Sequence, residues 1–180
     1  YTEESWTAFQ TALAEAKAVV NSWADVQTLI DSGETEIDVS NLPEDANKTV
    51  LTIDNKTVKI IGGSKEFKNL QIRLKKNGSL ELENMIINNR DLNINNRDLA
   101  FSPIYVEDTT DNKLILRGEN KISSEGKSAA ISVSKNKDIN SKLTIIGNGK
   151  IDVSIGTYDT GMGAYYTGAA IGGEYNHGSG

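Results

Sequence analysis

The chain has no cysteine, two prolines and a single histidine in 180 residues, and aromatic residues make up only 6% of it. Without cysteine there are no disulfide staples, no thiolate metal sites and no cysteine nucleophile. His177 has no second histidine or cysteine to join it, so a surface turn is its default reading rather than a metal site or a catalytic triad. No run of about 18 apolar residues occurs, so no helix is expected to span a bilayer. Positive charge is also scarce: 19 Lys+Arg stand against 25 Asp+Glu, for a net charge of -6, and the two signs are interspersed. A nucleic-acid binder carries a basic stripe, and an anionic membrane attracts one; this chain offers neither. Neither nucleic acid nor membrane insertion is expected.

What the chain does have is short apolar strands closed by Gly or Asn turns. Thr57-Val58-Lys59-Ile60-Ile61-Gly62-Gly63, Leu80-Glu81-Leu82-Glu83-Asn84, Lys113-Leu114-Ile115-Leu116-Arg117-Gly118 and Lys142-Leu143-Thr144-Ile145-Ile146-Gly147 are clear instances. Their turn residues lie roughly 20 to 35 residues apart, the repeat range of solenoids. One such unit cannot bury its own apolar face and must stack on others like it. The runs are β-branched or Leu, as half-buried strands should be. No helical period follows Gly33, so an alternating β–α layout is not expected. The reading is mainly β, a solenoid.

The first twenty residues differ. Trp6, Phe9, Leu13 and Val20, with Ala12 and Ala16 between them, recur at helical spacing, behind Thr2 as N-cap and with Glu3 and Glu4 in the first turn. A lone helix of this length is marginal in water and needs a surface to pack on. Ser22-Trp23-Ala24-Asp25 resembles a capping box, and Val26, Leu29, Ile30 and Gly33 then define a helix from about Trp23 to Ser32. A first strand is expected over Thr35–Val39. A solenoid needs such a cap, because an open core end aggregates. Residues 22–180 are therefore read as a β domain with an N-terminal capping helix, behind a separate amphipathic helix in residues 1–21. Tyr1 and Gly178-Ser179-Gly180 read as the ends of an excised fragment, with another strand expected beyond.

Two segments break the strand pattern. Ile87-Asn88-Asn89-Arg90-Asp91-Leu92 recurs as Ile94-Asn95-Asn96-Arg97-Asp98-Leu99, either a duplication that lengthens a loop or a polar rim able to hydrogen-bond a ligand. Ten of the sixteen glycines and four of the six tyrosines follow Ile146, and Gly161–Gly168 reads as a long loop. Tyr158, Tyr165 and Tyr166, with Asp159 and Asn148, are the residue types that hold a sugar: a ring face for its apolar side, amide and carboxylate for its hydroxyls. In an extended segment Tyr165 and Tyr166 face opposite ways, so only one would point at a ligand.

Glu107-Asp108-Thr109-Thr110-Asp111-Asn112 gathers oxygen donors. Asp108, Asp111 and Asn112 could contribute to the six to eight ligands of Ca²⁺, or the segment is a solvated turn; it lacks EF-hand spacing. The triplets at Asn47, Asn55 and Asn77 match the N-glycosylation pattern and read as chance in an Asn-rich chain. Acidic residues are plentiful but no pair is singled out for glycoside hydrolysis. A lyase would want a basic residue beside Ca²⁺; Arg73, Arg90, Arg97 and Arg117 are available and none is marked.

Tyr1-Thr2-Glu3-Glu4-Ser5-Trp6, Phe9, Ala12-Leu13, Ala16-Lys17 and Val20-Asn21 resemble one helix of the FIVAR module of Gram-positive extracellular proteins, which implies that residues 1–21 are a linker or a leftover edge of a preceding module. Ala129-Ala130-Ile131-Ser132-Val133, Leu143-Thr144-Ile145-Ile146-Gly147-Asn148-Gly149-Lys150-Ile151 and Gly168-Ala169-Ala170-Ile171-Gly172-Gly173 resemble the right-handed parallel β-helix domains of secreted clostridial proteins, including carbohydrate-binding ones. The resemblance is good from about Leu114 onward and loose over Thr35 to Val106. It implies a right-handed parallel β-helix at the bacterial cell surface, alongside other modules of the same polypeptide. It also implies a non-catalytic role in binding polysaccharide or host glycan, or as an adhesin scaffold. Pectin-active relatives imply a polysaccharide groove and bound Ca²⁺, so a lyase or glycoside hydrolase is the alternative. β-Helices host both, and the fold does not choose between them.

Overall fold

The computed structural model describes residues 2–16, 20–89, 102–107, 111–125, 128–133, 141–156, 158–159, 165–166 and 169–172. Arg90–Leu99 of the Asn-Arg duplication, Asp108, His177 and the last residues, Gly178–Gly180, lie outside them. So do residues 160–164 and 167–168 of the expected Gly-Tyr loop.

Helix α1 (Glu3–Ala16) starts where the sequence places it, with the Ser5 N–H donating to Thr2 Oγ1 at 3.3 Å. Trp6 and Phe9 stack on each other with ring centroids 5.7 Å apart, yet each stays about half exposed. Helix α2 (Trp23–Ser32) is closed at both ends. Ser22 Oγ accepts the Asp25 N–H, and Gly33, at φ 100°, folds its own N–H back onto the Ile30 carbonyl. Its inner face buries Trp23, Val26 and Ile30. The Trp23 ring meets Phe67 edge-on at 5.2 Å, and Trp23 Nε1 donates to the Pro43 carbonyl at 3.1 Å.

The rest is β. The chain forms β1 (Glu36–Asp38), β2 (Asp45–Asp54), β3 (Thr57–Ile61), β4 (Glu66–Lys75) and β5 (Ser79–Glu83). Then come β6 (Ile86–Asn89), β7 (Ile104–Val106), β8 (Asp111–Arg117), β9 (Glu119–Glu125) and β10 (Ile131–Val133). The last described strands are β11 (Lys142–Gly147), β12 (Lys150–Gly156), β13 (Tyr158–Asp159), β14 (Tyr165–Tyr166) and β15 (Ile171–Gly172).

Among the described residues all the pairings but one are parallel, and the parallel ones form three sheets. The first runs β1-β3-β5-β8-β11. The second runs β2-β4-β7-β10-β15, and the third β4-β6-β9-β12. From β5 to β12 the chain visits first, third and second sheet in that fixed order, so each sheet gains one strand per circuit. Together the sheets make a nearly closed, barrel-like arrangement. Strand β4 belongs to two of them. Glu66 and Phe67 pair with β6, Ile72–Leu74 pair with β7, and between these Asn69 takes a left-handed φ of 56° that turns the corner.

Parallel register stacks like on like. Leu51, Ile72, Ile104 and Ile131 are successive partners in the second sheet, and all are fully buried. Val58, Leu80 and Leu114 do the same in the first sheet; Phe67, Ile87 and Ile122 do so in the third. The three stacks share one core, and each such side chain contributes about 1.5–3 kcal/mol by leaving water. The series ends at the last strands, where Ile145 and Ile171, in line with these stacks, are about 40–50% exposed.

The asparagines have a structural use that composition alone hid. Asn47, Asn55, Asn69, Asn77 and Asn84 all have positive φ, a region Asn tolerates better than other non-Gly residues. All three Asn-x-Ser/Thr triplets therefore begin at a residue in the left-handed conformation.

Candidate functional site

Side chains alternate in and out along each strand. In the second sheet Ile72, Leu74, Ile104, Val106 and Ile131 point inward, which turns Arg73, Lys75, Tyr105 and Ser132 outward. Register then aligns Thr52, Arg73, Tyr105 and Ser132 across four neighbouring strands. Adjacent members of this row are about 4.8 Å apart, the strand spacing.

Around the row the polar groups interlock. The Arg73 guanidinium carbon lies 5.5 Å from the centre of the Tyr105 ring. Its Nη2 donates to Gln71 Oε1 at 3.0 Å, and the Gln71 amide nitrogen in turn donates to the Ser102 carbonyl at 3.0 Å. Glu107, just past β7, sits between two cations, 3.0 Å from Lys75 Nζ and 3.4 Å from Arg73 Nη1. The three charged side chains keep 28–34% of their surface, so the cluster is open to solvent at its rim and closed beneath.

Three donors in this cluster, Arg73 Nε, Ser102 Oγ and Ser132 Oγ, are shielded from solvent and meet no hydrogen-bond partner among the described residues. The Glu107 Oε2 acceptor has none among them either, although it faces two cations. Ser132 has no exposed surface at all, although it stands in the outward row. A buried polar group without a partner costs about 1–3 kcal/mol, so such groups in a folded protein ask for an explanation, a bound ligand or water being the usual one.

The outward face of the first sheet contrasts with this. Lys59 lies 2.8 Å from Glu83 and 3.3 Å from Glu36, and Arg117 lies 3.0 Å from Glu81. The hydrogen bond that Lys59 donates to Glu83, reinforced by Glu36 against a partial loss of hydration, raises Lys59 above the usual lysine range. These charges answer one another, as in an ordinary solvated ladder. Glu81 and Glu83 share that face, each tied to its own cation.

The residues proposed from sequence fall in three places. Tyr158 and Asp159 form β13, and Tyr165 and Tyr166 form β14, the one antiparallel pair among the described strands. Its register sets Tyr158 opposite Tyr166 and Asp159 opposite Tyr165, so four of the five expected sugar contacts are brought together along the backbone, where a continuous loop was expected. Asn148 instead lies exposed at the turn between β11 and β12, accepting from Arg117 Nη1 at 3.4 Å. Of the expected Ca²⁺ ligands, Asp108 lies outside the described residues. Asp111 is exposed and 3.1 Å from Lys142, while its neighbour Asn112 is fully buried on the other side of β8. Alternation along the strand separates those two carbonyl-bearing side chains. Among the described residues no three His, Cys, Asp or Glu side chains converge as a metal site would need.

Sequence reading named Arg73 only as one arginine among four, put Glu107 in the acidic turn, and passed over Tyr105. The spacing Gln71-x-Arg73-x-Lys75 and Tyr105-x-Glu107 does mark a polar strand face. That the two faces adjoin is decided by the pairing of β4 with β7 across about thirty residues.

Comparison with protein-family models, curated proteins and solved structures finds no match to this chain. Among the described residues no helix is long and apolar enough to cross a membrane.

Proposed function

We propose that this chain is a non-catalytic carbohydrate-binding module built on a right-handed parallel β-helix, carried on a bacterial cell surface with other modules of one polypeptide. The circuit through three parallel sheets, with one strand added to each per turn, supports the β-helix. The resemblance of the last third to clostridial carbohydrate-binding domains supports the ligand class. In the same way the FIVAR-like segment, residues 1–21, is a linker to a preceding module.

One observation carries the binding reading: the outward row Thr52–Arg73–Tyr105–Ser132 with Gln71 and Glu107 around it. It offers a ring face, an amide, a hydroxyl and charged groups within one patch, which is the mixture a saccharide uses. The strand spacing, about 4.8 Å, is close to the length of one pyranose unit, so successive strands of the row address successive sugars. The β13–β14 pair, with Tyr158, Asp159, Tyr165 and Tyr166, is a second element of suitable chemistry.

A glycan array on the whole chain tests this, followed by calorimetry on the best ligand. Tyr105→Ala should weaken binding about tenfold or more while the thermal midpoint holds, because Tyr105 lies on the outer face. Absence of binding to any glycan would sink the reading in favour of a spacer. Release of an unsaturated product from a polysaccharide would replace it with a lyase.

A further inference from the structure

The charge balance within the second-sheet patch narrows the ligand. Arg73 and Lys75 share a single carboxylate, that of Glu107, so the patch has one positive charge in excess on a chain whose net charge is -6. Glu107 serves the two cations unequally. Its distance to Lys75 is 3.0 Å, but 3.4 Å to Arg73 is long for a charge-assisted bond, which usually closes to about 2.7–2.9 Å. The remaining Arg73 contacts are a neutral amide oxygen and a ring face, and its Nε has no acceptor. Asp54, in register with Lys75, lies 3.4 Å from Lys76. Among the described residues Arg73 is thus short of an anion, and the buried Ser132 hydroxyl at the end of the row meets no partner.

From this geometry we infer that the patch made by Arg73, Lys75 and Tyr105 binds a saccharide that carries an oxyanion, either a carboxylate or a sulfate. The inference rests on the carbohydrate reading above and specifies its ligand. The oxyanion lies against Arg73 and Lys75, taking the place that Glu107 fills incompletely, and the sugar ring lies on Tyr105. Glu107 is then a competitor inside the site: its charge holds the two cations in place when the site is empty and opposes the ligand when it is full.

The test measures binding of the whole chain to three probes: hyaluronan oligosaccharides, which carry carboxylates only; keratan sulfate oligosaccharides, which carry sulfates without uronic acid; and methyl-esterified hyaluronan, whose carboxylates are neutralised. At least one charged probe should bind about tenfold or more tightly than the ester, and the preference should shrink with added salt. Which charged probe wins distinguishes carboxylate from sulfate. Arg73→Gln should weaken charged-probe binding about tenfold. Glu107→Gln should strengthen it severalfold, a gain that a misfolded variant could not give. Equal binding of ester and charged probes, or a loss on Glu107→Gln, overturns the inference and leaves carbohydrate binding standing. Binding to none of the three, together with a silent glycan array, overturns both.

Discussion

The side-chain amide of Gln27 pairs with the backbone of Thr52 as a neighbouring strand would. Gln27 Oε1 accepts the Thr52 N–H at 2.7 Å, and Nε2 donates to the Thr52 carbonyl at 3.3 Å. Among the described strands β2 pairs only with β4, so its other edge would present free backbone groups. Helix α2 covers that edge, with Val26 and Ile30 as the apolar lid, Gln27 as the polar one, and Lys56 Nζ bound to the Ile30 carbonyl at 2.8 Å. An open strand edge is a template for aggregation, and this is how the first circuit avoids it.

Replacing Gln27 by Ala should leave both Thr52 groups without a partner. The expected loss is about 1–2 kcal/mol in urea unfolding, with an unchanged m-value. The freed edge should also raise self-association, readable by light scattering at high protein concentration. A variant as stable and as monodisperse as the parent would show that the pair is incidental.

The interior stacks predict a gradient along the molecule. Ile72→Ala or Ile104→Ala empties a fully buried position in the middle of the second-sheet stack and should cost about 2–5 kcal/mol. Ile146→Ala, at a position 47% exposed on β11, should cost no more than about 1 kcal/mol. Chemical denaturation of the three variants gives the comparison directly, and equal costs would contradict the assignment of the core.

Two corner glycines should differ for a geometric reason. At Gly118, φ 58°, an added Cβ meets the tip of the Asn84 side chain, which can rotate away at the cost of its bond to the Glu119 N–H. At Gly147, φ 114°, it meets the Leu116 carbonyl oxygen, and backbone cannot step aside so easily. Gly147→Ala should therefore destabilise more than Gly118→Ala, and each by more than about 1 kcal/mol, since both add a left-handed strain. Thermal unfolding of the pair settles the order.

Acid and base should act through different residues. Hydrogen bonds from the Asn69 side chain and the Asn47 N–H to the Asp45 carboxylate hold its pKa below the ordinary value of 3.8. A lowered folded-state pKa contributes stability that is full above the unfolded value and lost as pH falls through the folded one. The gap between the parent and Asp45→Ala should thus be constant near neutrality and close below about pH 4. Lys59 has the opposite sign, because Glu83 and Glu36 raise it above 10.5. Its contribution is full below that value and fades only as pH climbs through the raised one. Stability curves of Asp45→Ala and Lys59→Ala against pH should converge with the parent at opposite ends of the scale.

Much of the fold could be read from the sequence because its signals are local. Ser22 and Gly33 bracket α2 through bonds to their own near neighbours, and alternation in Thr57–Ile61 or Leu80–Glu83 follows from the geometry of an extended chain. The left-handed corners are local too, although their use of Asn at Asn69 and Asn84 became clear only with the backbone angles. The candidate site was less legible. Tyrosine and acidic residues near the C-terminus drew attention by composition, whereas Tyr105 and Glu107 look ordinary in their own segment.

By itself the sequence determined that this protein is a mainly β chain headed by short helices, free of disulfides and of any apolar span. Each of those properties depends on the identity and spacing of residues within a few positions of one another. Tertiary structure alone decided that Arg73 lies on Tyr105 and faces Glu107, and that Gln27 stands in for a missing strand at Thr52. Both join residues 25 or more apart, whose meeting is fixed by strand register and by the burial of the apolar stacks, quantities that belong to the whole core and to no local stretch of it.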